Sequence, residues 1–397
     1  MEQITEVSVP RIEFETVSWD QPDSYPVSRR RKLASRGPYL AALPQPISEL
    51  PIRLPPALVV ALEDVSNALS RFDAGVGNFS VPMAAVLLRT ESAASSEVEN
   101  ITVSVKQLGL ELLGKGRSVN AQLVQQNVEA METAVKLSSS LGHTEIIEMQ
   151  RVLLERSSPE QTGGYRQRQV WIGGFAPHVA NFVPPQASRV YSLMEDLLRF
   201  IGRTDLPALA QIAIAHAQFE TIHPFEDGNG RTGRALVQAM LKANGLTQST
   251  TVPVSAGLLS DLPGYFRALS EFQGGNGSPI ISAFIEATWS ALANSQTLSN
   301  RLADLQERWT NELSLRSDAV AMKIIRILPS HPVLNAKLIV NLFGVSEPTA
   351  INGLVQLENS GVLTRLNSNA RSRVWLATEV LEELEAFANR SRKRNPV

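Results

Sequence analysis

One twelve-residue stretch, HPFEDGNGRTGR at 223–234, carries most of the side chains able to do chemistry. It combines an imidazole at its start, a carboxylate at Asp227 and two guanidinium groups, Arg231 and Arg234. A glycine turn at 228–230 separates the carboxylate from the arginines. A base, a carboxylate and cations beside a tight turn are the groups that bind and transfer phosphate. Phosphate chemistry is therefore the hypothesis to test against the surrounding sequence.

The segment GNGRTG has the glycine spacing of a dinucleotide-binding turn, but its surroundings do not fit that turn. Such a fingerprint follows a strand and precedes an acidic residue by about 20 positions. Residues 206–222 have a helical pattern instead, and residues 250–258 contain no Asp or Glu. A Walker loop is excluded because Arg234 stands where Lys with Ser or Thr is required. Arg231 occupies a position where a calcium loop needs an oxygen ligand.

The remaining interpretation is an anion-binding turn between two helices. The backbone N–H groups of Gly228, Asn229 and Gly230 converge at the N-terminus of the second helix, where they attract anions. Arg231 and Arg234 share one face of that helix's beginning. Cations there oppose the helix dipole unless an anion offsets them. The arrangement predicts a polyphosphate ligand.

Three further residues of the stretch complete the predicted site. Asp227 lies beside the turn, where a carboxylate next to phosphates would hold Mg²⁺. His223 is able to accept a hydroxyl proton near neutral pH. Phe225 is the apolar member, and we expect it to point inward and anchor the turn.

The stretch resembles a known family. It matches the Fic signature H-x-F-x-[DE]-G-N-G-R-x-x-R at every specified position. Fic proteins share a helical core, and most of them transfer AMP from ATP to a hydroxyl of a target protein. The related Doc kinases carry Lys where this chain has Gly230, so the resemblance favours adenylyl transfer over phosphotransfer.

The resemblance implies a role for each residue. His223 would be the general base for a Ser, Thr or Tyr hydroxyl, and Asp227 would bind the Mg²⁺ that bridges the α- and β-phosphates of ATP. The phosphates would be held by the turn and the two arginines, namely Gly228, Asn229, Gly230, Arg231 and Arg234. The segment LPGYFRALS resembles the family's helix near the adenine, where Tyr265 is a candidate contact and plain packing is the alternative.

A second motif lies upstream, in ESAASSEVENITVS. Ser95, Glu99 and Asn100 fit [ST]-x-x-x-E-[GN], which resembles the inhibitory motif of Fic proteins. Its glutamate would pair with Arg234 and exclude the γ-phosphate, since a carboxylate can replace a phosphate oxygen against a guanidinium. An acidic helix end is the alternative. A deAMPylase in which Glu99 orients a water requires the same residues, so the direction of the reaction stays open.

A surface hairpin is predicted between the two motifs. GGYRQRQVWIGG alternates polar and apolar residues between glycine pairs. With the residues that follow, it resembles the Fic flap, which pairs with a target peptide by strand addition. We therefore expect a target protein to dock at about 165–175. Trp171 is expected to pack, while Arg166 and Gln169 fit either packing or docking.

Helical spacing of apolar residues dominates the rest of the chain, so the predicted fold is mostly α. We predict three segments. An N-terminal arm and helical region with the inhibitory motif spans 1–110, and a Fic core with flap and active-site loop spans 111–300. A linker helix and winged helix domain span 301–397. The first 55 residues or so should form an extended arm with little regular structure, and RRRK at 29–32 reads as a solvated loop rather than a nucleic-acid site.

The predicted winged helix raises the question of DNA binding. Ser346 would cap its third helix, and NSNARS at 367–372 would form the wing. Residues 317–378 hold six Lys/Arg and three Asp/Glu, yet the third helix, 346–359, contains no Lys or Arg. Phosphate binding usually needs more cations, so packing or partner recruitment is favoured over DNA binding by a regulator.

Composition excludes several other classes. The 397 residues have 43% hydrophobic and 19% charged content and a net charge of −2, which does not suit a protein that coats nucleic acid. The absence of cysteine excludes disulfides and thiolate chemistry. Five histidines show no zinc-ligand spacing, and His216 is expected to pack in the core. Without a signal peptide or a run of about 18 apolar residues, we expect a cytoplasmic protein that does not bind membrane. Assembly into a homo-oligomer is left open.

Overall fold

The computed structural model describes residues 5–19, 35–76, 82–313, 316, 318–366 and 373–392. Helices dominate, as the sequence predicts, and the strands are short. In chain order the helices are α1 (Pro56–Val76), α2 (Met83–Val98), α3 (Val105–Leu112), α4 (Val119–Leu137), α5 (His143–Leu154), α6 (Ala187–Ile201), α7 (Ala208–Ile222), α8 (Asn229–Ala243), α9 (Val254–Leu258), α10 (Leu262–Gln273), α11 (Ser278–Leu313), α12 (Val320–Ile327), α13 (Ala336–Phe343), α14 (Glu347–Asn359) and α15 (Thr378–Ser391). The strands are β1 (Glu13–Val17), β2 (Tyr39–Leu43), β3 (Val333–Leu334), β4 (Thr364–Arg365) and β5 (Trp375–Leu376).

Two compact units divide the chain, and each contains discontinuous segments. Unit 1 comprises Met1–Asp64, Thr133–Asn244 and Pro263–Ile285. Unit 2 comprises Val65–Glu132, Gly245–Leu262 and Glu286–Val397. The signature stretch lies in unit 1 and the upstream motif in unit 2. The three segments predicted from the sequence are a different partition, and that partition stays a prediction.

In unit 1, α7 is the central helix. All of its residues except Ala208 and Glu220 are buried, which fits a helix that is apolar on every side. It packs against α6 and α8. Gly233 of α8 allows this approach, because a Cβ there would lie 3.0 Å from Cδ1 of Phe219. The loop at 223–228 thus connects two tightly packed helices, α7 and α8.

The N-terminal arm of unit 1 is more regular than the sequence suggests. β1 and β2 pair antiparallel, with Glu13 opposite Leu43 and Val17 opposite Tyr39. The proline and arginine content of the arm hides this pairing, because the two strands are short and far apart in the chain. The RRRK run lies outside the described residues.

In unit 2, the C-terminal region follows the element order expected for a winged helix: α12, β3, α13, α14, β4 and β5. The three strands form one sheet in the order β3-β5-β4. Ser346 caps α14 by accepting the backbone N–H of Thr349, as predicted. The proposed wing lies outside the described residues, and the winged-helix assignment stays a prediction. The exposed positions of α14 carry no Lys or Arg, and the role of this region stays a prediction.

No single helix in the described ranges is long and apolar enough to cross a membrane. Only α13 and α14 taken together, bent by 117° at their junction, reach that length and composition.

Candidate active site

The site begins where α7 ends, at His223. This residue is left-handed, with φ 52° and ψ 62°, and its N–H bonds the carbonyl of Phe219 at 2.9 Å. A non-glycine residue in this conformation costs about 1 kcal/mol, so neighbouring contacts must hold it. The backbone turns sharply at His223 and leaves α7 for the loop. The half-buried imidazole therefore belongs to the turn itself.

Asn229 closes the loop that follows. Its side-chain Oδ1 accepts the N–H of Phe225 at 2.8 Å, and its Nδ2 donates to the carbonyl of Phe225 at 2.9 Å. Both ends of the amide are thus used to shape the loop, so an anion would meet Asn229 through its backbone N–H. Phe225 is fully buried, with its ring 5.4 Å from Tyr165 and 6.4 Å from Phe219. The predicted inward anchor is confirmed.

Gly228 forms the N-cap of α8 with φ 81°. A Cβ at this position would lie 3.0 Å from Cδ2 of Leu153 in α5, so both the backbone conformation and the packing favour glycine. The N–H of Gly228 donates to Oδ1 of Asp227 at 2.6 Å. This bond joins the Asp227 carboxylate to the cap of α8.

Arg231 and Arg234 project from the beginning of α8 and are buried, with 5% and 2% of their surface exposed. One guanidinium nitrogen of Arg231 lies 3.8 Å from Oδ1 of Asp227. Two buried cations at the positive end of a helix attract anions. This geometry fits the predicted polyphosphate ligand.

Asp227 is the residue that could hold a metal. Its side chain is 54% exposed, Oδ1 accepts the N–H of Gly228, and Oδ2 has no hydrogen-bond partner among the described residues. That part contains no group of three or more His, Asp or Glu suited to a metal ion. One accessible carboxylate fits Mg²⁺ that arrives with nucleotide phosphates, because Mg²⁺ commonly keeps several waters and takes one or two carboxylates.

His216 and Tyr265 support the site from within unit 1. Nε2 of His216 hydrogen-bonds the hydroxyl of Tyr265 at 2.8 Å, and both side chains are buried. Burial, with a smaller effect from the charge of Arg234, lowers the pKa of His216 to about 3. The predicted packing role of His216 is confirmed. A 2% exposed Tyr265 favours the packing alternative over an adenine contact.

The upstream motif occupies the end of α2 in unit 2. Ser95 is fully buried, Glu99 is the C-cap and is exposed, and Asn100 has φ 61°. The N–H of Asn100 bonds the carbonyl of Glu97 at 2.8 Å, and that of Ile101 bonds Ser96 at 3.0 Å. These bonds form a Schellman motif with Asn100 at its left-handed position. The last position of the motif is Gly or Asn for a physical reason, since these residues adopt the left-handed conformation most readily.

Buried polar contacts anchor α2 within unit 2. Glu91 accepts the N–H of Ser255 at 2.9 Å and its hydroxyl at 2.6 Å. Asn127 donates to the carbonyl of Ser92 at 2.8 Å and to the hydroxyl of Ser96 at 3.1 Å. The helix is therefore fixed along its length up to the exposed Glu99. Pairing of Glu99 with Arg234 stays a prediction.

The flap lies between α5 and α6. It doubles back through an antiparallel bridge between Ile172 and Phe182. Trp171 packs edge-on against Trp19 at 5.8 Å, as its predicted packing role requires. Gln169 donates to the carbonyl of Pro184 at 2.8 Å, and Arg166 is 2% exposed, so both side chains fit the packing alternative.

Comparison with known proteins finds a likeness to one family over part of the chain. Residues 140–241 match the Fic/DOC family. Across 141 residues the chain is 33% identical to "Protein adenylyltransferase Fic" of Drosophila ananassae, covering 35% of this chain and 24% of that protein. Across 148 residues it is 28% identical to "Protein adenylyltransferase fic-1" of Caenorhabditis briggsae, covering 36% and 28%. The chain thus spans about a quarter of the length of these relatives.

A solved structure extends the likeness beyond the matched Fic segment. The crystal structure of a Fic family protein from Desulfovibrio desulfuricans G20 superposes with a TM-score of 0.55 at 23% identity, covering 84% of this chain and 98% of that chain. At this identity the likeness establishes the fold alone. The predicted helical Fic fold with a flap is confirmed.

Sequence reasoning did not anticipate what Arg166 touches. Its backbone N–H bonds the carbonyl of Pro224 at 2.9 Å, and its Nε donates to the carbonyl of His223 at 2.8 Å. These contacts join residues 57 and 58 positions apart in the chain. In the sequence, Arg166 stands out only through its position in the predicted flap. That position does not distinguish a docking role from a packing role.

Proposed function

We propose that the protein is a cytoplasmic enzyme that transfers AMP from ATP to a Ser, Thr or Tyr hydroxyl of a target protein or of itself. The observation that carries this proposal is the pair of buried guanidiniums at the beginning of α8, beside the left-handed cap at Gly228 and one loop away from His223. The names of the relatives, which are protein adenylyltransferases, support the same reaction.

In the proposed reaction, the target hydroxyl oxygen attacks the α-phosphorus of ATP while His223 accepts the hydroxyl proton. The bond from the α-phosphorus to the oxygen bridging to the β-phosphate breaks, and pyrophosphate leaves with that electron pair. Arg231 and Arg234 hold the leaving phosphates, where negative charge develops. Mg²⁺ held by Asp227 would neutralise phosphate charge.

The target docks on the flap in this proposal, along about 165–175. The exposed side chains of Ile172 and Phe175 are 39% and 38% accessible and would contact apolar groups of an extended peptide. Strand addition at this edge would bring a hydroxyl toward the loop after α7.

Glu99 restrains the reaction in this proposal. Its carboxylate competes with the γ-phosphate for Arg234, so ATP would bind in an unproductive way until Glu99 withdraws. Its exposure and its place at the end of an anchored helix are consistent with this role.

Labelled ATP with Mg²⁺ tests the proposal on the full chain. Glu99→Gly should raise transfer of label to the protein or to a target, and adding His223→Ala should abolish it. A Glu99→Gly protein that labels nothing, itself included, would refute adenylyl transfer as restrained by Glu99. Release of AMP from a modified target by the wild type, lost in Glu99→Gly, would indicate the reverse reaction.

A further inference from the structure

We infer that Arg166 is a positioning residue that locks His223 and the base of the flap into one rigid assembly. The inference rests on the proposed function and assigns a residue outside the signature to the same site. Arg166 touches no predicted phosphate-binding group. Its effect on catalysis would pass entirely through the backbone of His223.

The guanidinium of Arg166 donates hydrogen bonds to backbone carbonyls of two separate segments. Toward the end of α7, Nε donates to His223 at 2.8 Å and one terminal nitrogen donates to Ile222 at 3.4 Å. Toward the flap, the terminal nitrogens donate to Pro185 at 2.5 Å and to Arg168 at 3.1 Å. One side chain therefore connects the last carbonyls of α7 with both sides of the flap base.

Charge explains why an arginine occupies this place. The carbonyls of Ile222 and His223 end α7 and carry the negative end of its dipole, which a cation stabilises. No carboxylate lies within ion-pair distance of Arg166 in the described part of the chain. Burial lowers the pKa of Arg166 to about 10, so the group stays protonated at neutral pH.

The clamp accounts for the left-handed conformation of His223. Rotation of the backbone there toward a relaxed conformation would pull the carbonyl of His223 away from Nε and leave buried donors unsatisfied. The phosphate-binding turn at 228–230 begins five residues later and is closed independently by Asn229. Loss of the clamp should therefore misplace the imidazole while nucleotide binding survives.

The test compares Arg166→Met and Arg166→Lys with Arg203→Met, all in the Glu99→Gly background. Arg203 is a matched control, since it also donates to backbone carbonyls of a distant segment, those of Leu50 at 2.7 Å and Ser48 at 3.4 Å. We expect Arg166→Met to lower kcat of labelling about 100-fold, the size typical of a misplaced reacting group, with the Kd for MgATP within about twofold of the parent. Arg203→Met should leave kcat unchanged even where it lowers Tm.

Arg166→Lys decides the case if the Met variant does not fold. One ammonium group keeps the charge but cannot span both segments, so kcat should fall about 10-fold with the Kd for MgATP retained. Folded Arg166→Lys with the parent's kcat would overturn the inference. An equal loss of kcat in Arg203→Met would also overturn it, because general destabilisation would then be the cause.

A readout independent of activity separates this inference from the proposed function. The ring resonance of His223, assigned by its loss in His223→Ala with selectively labelled histidine, should shift in Arg166→Lys and stay in place in Arg203→Met. A parent that binds no MgATP while this shift occurs would refute the proposed function and leave the clamp intact. An unmoved His223 resonance in folded Arg166→Lys would refute the clamp.

Discussion

Within the described part of the chain, two helices are closed by a left-handed residue that is not glycine, and the two closures differ in how they are held. α2 in unit 2 is followed by its C-cap Glu99 and then by Asn100 with φ 61°, and α7 in unit 1 is followed by its C-cap His223 with φ 52°. The end of α2 is exposed and is closed by the backbone hydrogen bonds of Asn100 and Ile101. The end of α7 is half-buried and clamped by the guanidinium of Arg166.

This difference makes the end of α7 a fixed position and the end of α2 an adjustable one. A general base must stay within hydrogen-bond reach of its proton, so a clamp on the backbone serves catalysis. A regulatory carboxylate must instead leave when the trigger arrives. Glu99 lies at an exposed helix cap, where its side chain is accessible to solvent. The two ends therefore suit the different roles proposed for them.

The largest expected effect on labelling comes from replacing His223 by the residue type found after α2. His223→Asn places at the end of α7 the residue type that ends α2, which accepts the left-handed backbone but offers no base at neutral pH. Labelling in the Glu99→Gly background should fall by about 10³-fold, within the range for loss of a general base, while Tm stays close to that of the parent. Activity within tenfold of the parent would show that the imidazole is not the base.

Arg234 is the residue for which we propose that the Glu99 carboxylate and the γ-phosphate compete. Arg234→Met in the Glu99→Gly background should weaken MgATP binding by about 100-fold, because a charge-assisted contact is worth about 3 kcal/mol. Titration calorimetry measures this change. An unchanged Kd, with the fold intact by circular dichroism, would remove Arg234 from the nucleotide site.

The burial of α7 also predicts a dependence of stability on pH. The pKa of His216 lies at about 3 in the folded protein, against about 6.5 when exposed. A lowered pKa means that the unfolded chain binds more protons between these values. His216 should thus contribute stability that is present above pH 6.5 and is lost as the pH falls toward 3, with a slope of at most about 1.4 kcal/mol per pH unit.

Urea unfolding at several pH values between 3.5 and 7 measures that slope. His216→Gln, which keeps a hydrogen-bonding side chain for Tyr265 but does not titrate, should flatten it. Equal slopes in the wild type and the variant would mean that His216 is not buried as a neutral group.

The smallest effect is expected at the adjustable end. Asn100→Val replaces a residue that tolerates positive φ by a β-branched one and should lower the free energy of unfolding by about 1–2 kcal/mol. The altered cap should also shift Glu99 and raise labelling by the otherwise wild-type protein. Asn100→Gly is the matched control and should change neither quantity appreciably. A stable Asn100→Val protein would argue against the Schellman end.

Features formed by neighbouring residues could be predicted from the sequence, whereas contacts between segments far apart in the chain could not. The signature lies within twelve consecutive residues, so its turn, its buried Phe225 and the two flanking helices could be inferred from residue types and spacing. The bond from Arg166 to His223 spans 57 positions, and the pairing of β1 with β2 spans a proline-rich arm. Neither has a periodic pattern, because both depend on how distant segments pack.

Asn229 shows the same limit at close range. Its position in the signature pointed to a phosphate contact, but its side-chain amide is used on both ends by Phe225. Residue type and spacing identified the residue, whereas the direction of the side chain depended on the three-dimensional course of the loop.

Titration calorimetry of MgATP against the Glu99→Gly protein tests the central claim most directly, because it asks whether the loop between α7 and α8 binds a metal-bound triphosphate at all. The account predicts binding at a single site that disappears when Mg²⁺ is withheld or Asp227 is changed to Ala. Absence of any binding heat, together with no protection of Tm by MgATP, would contradict it.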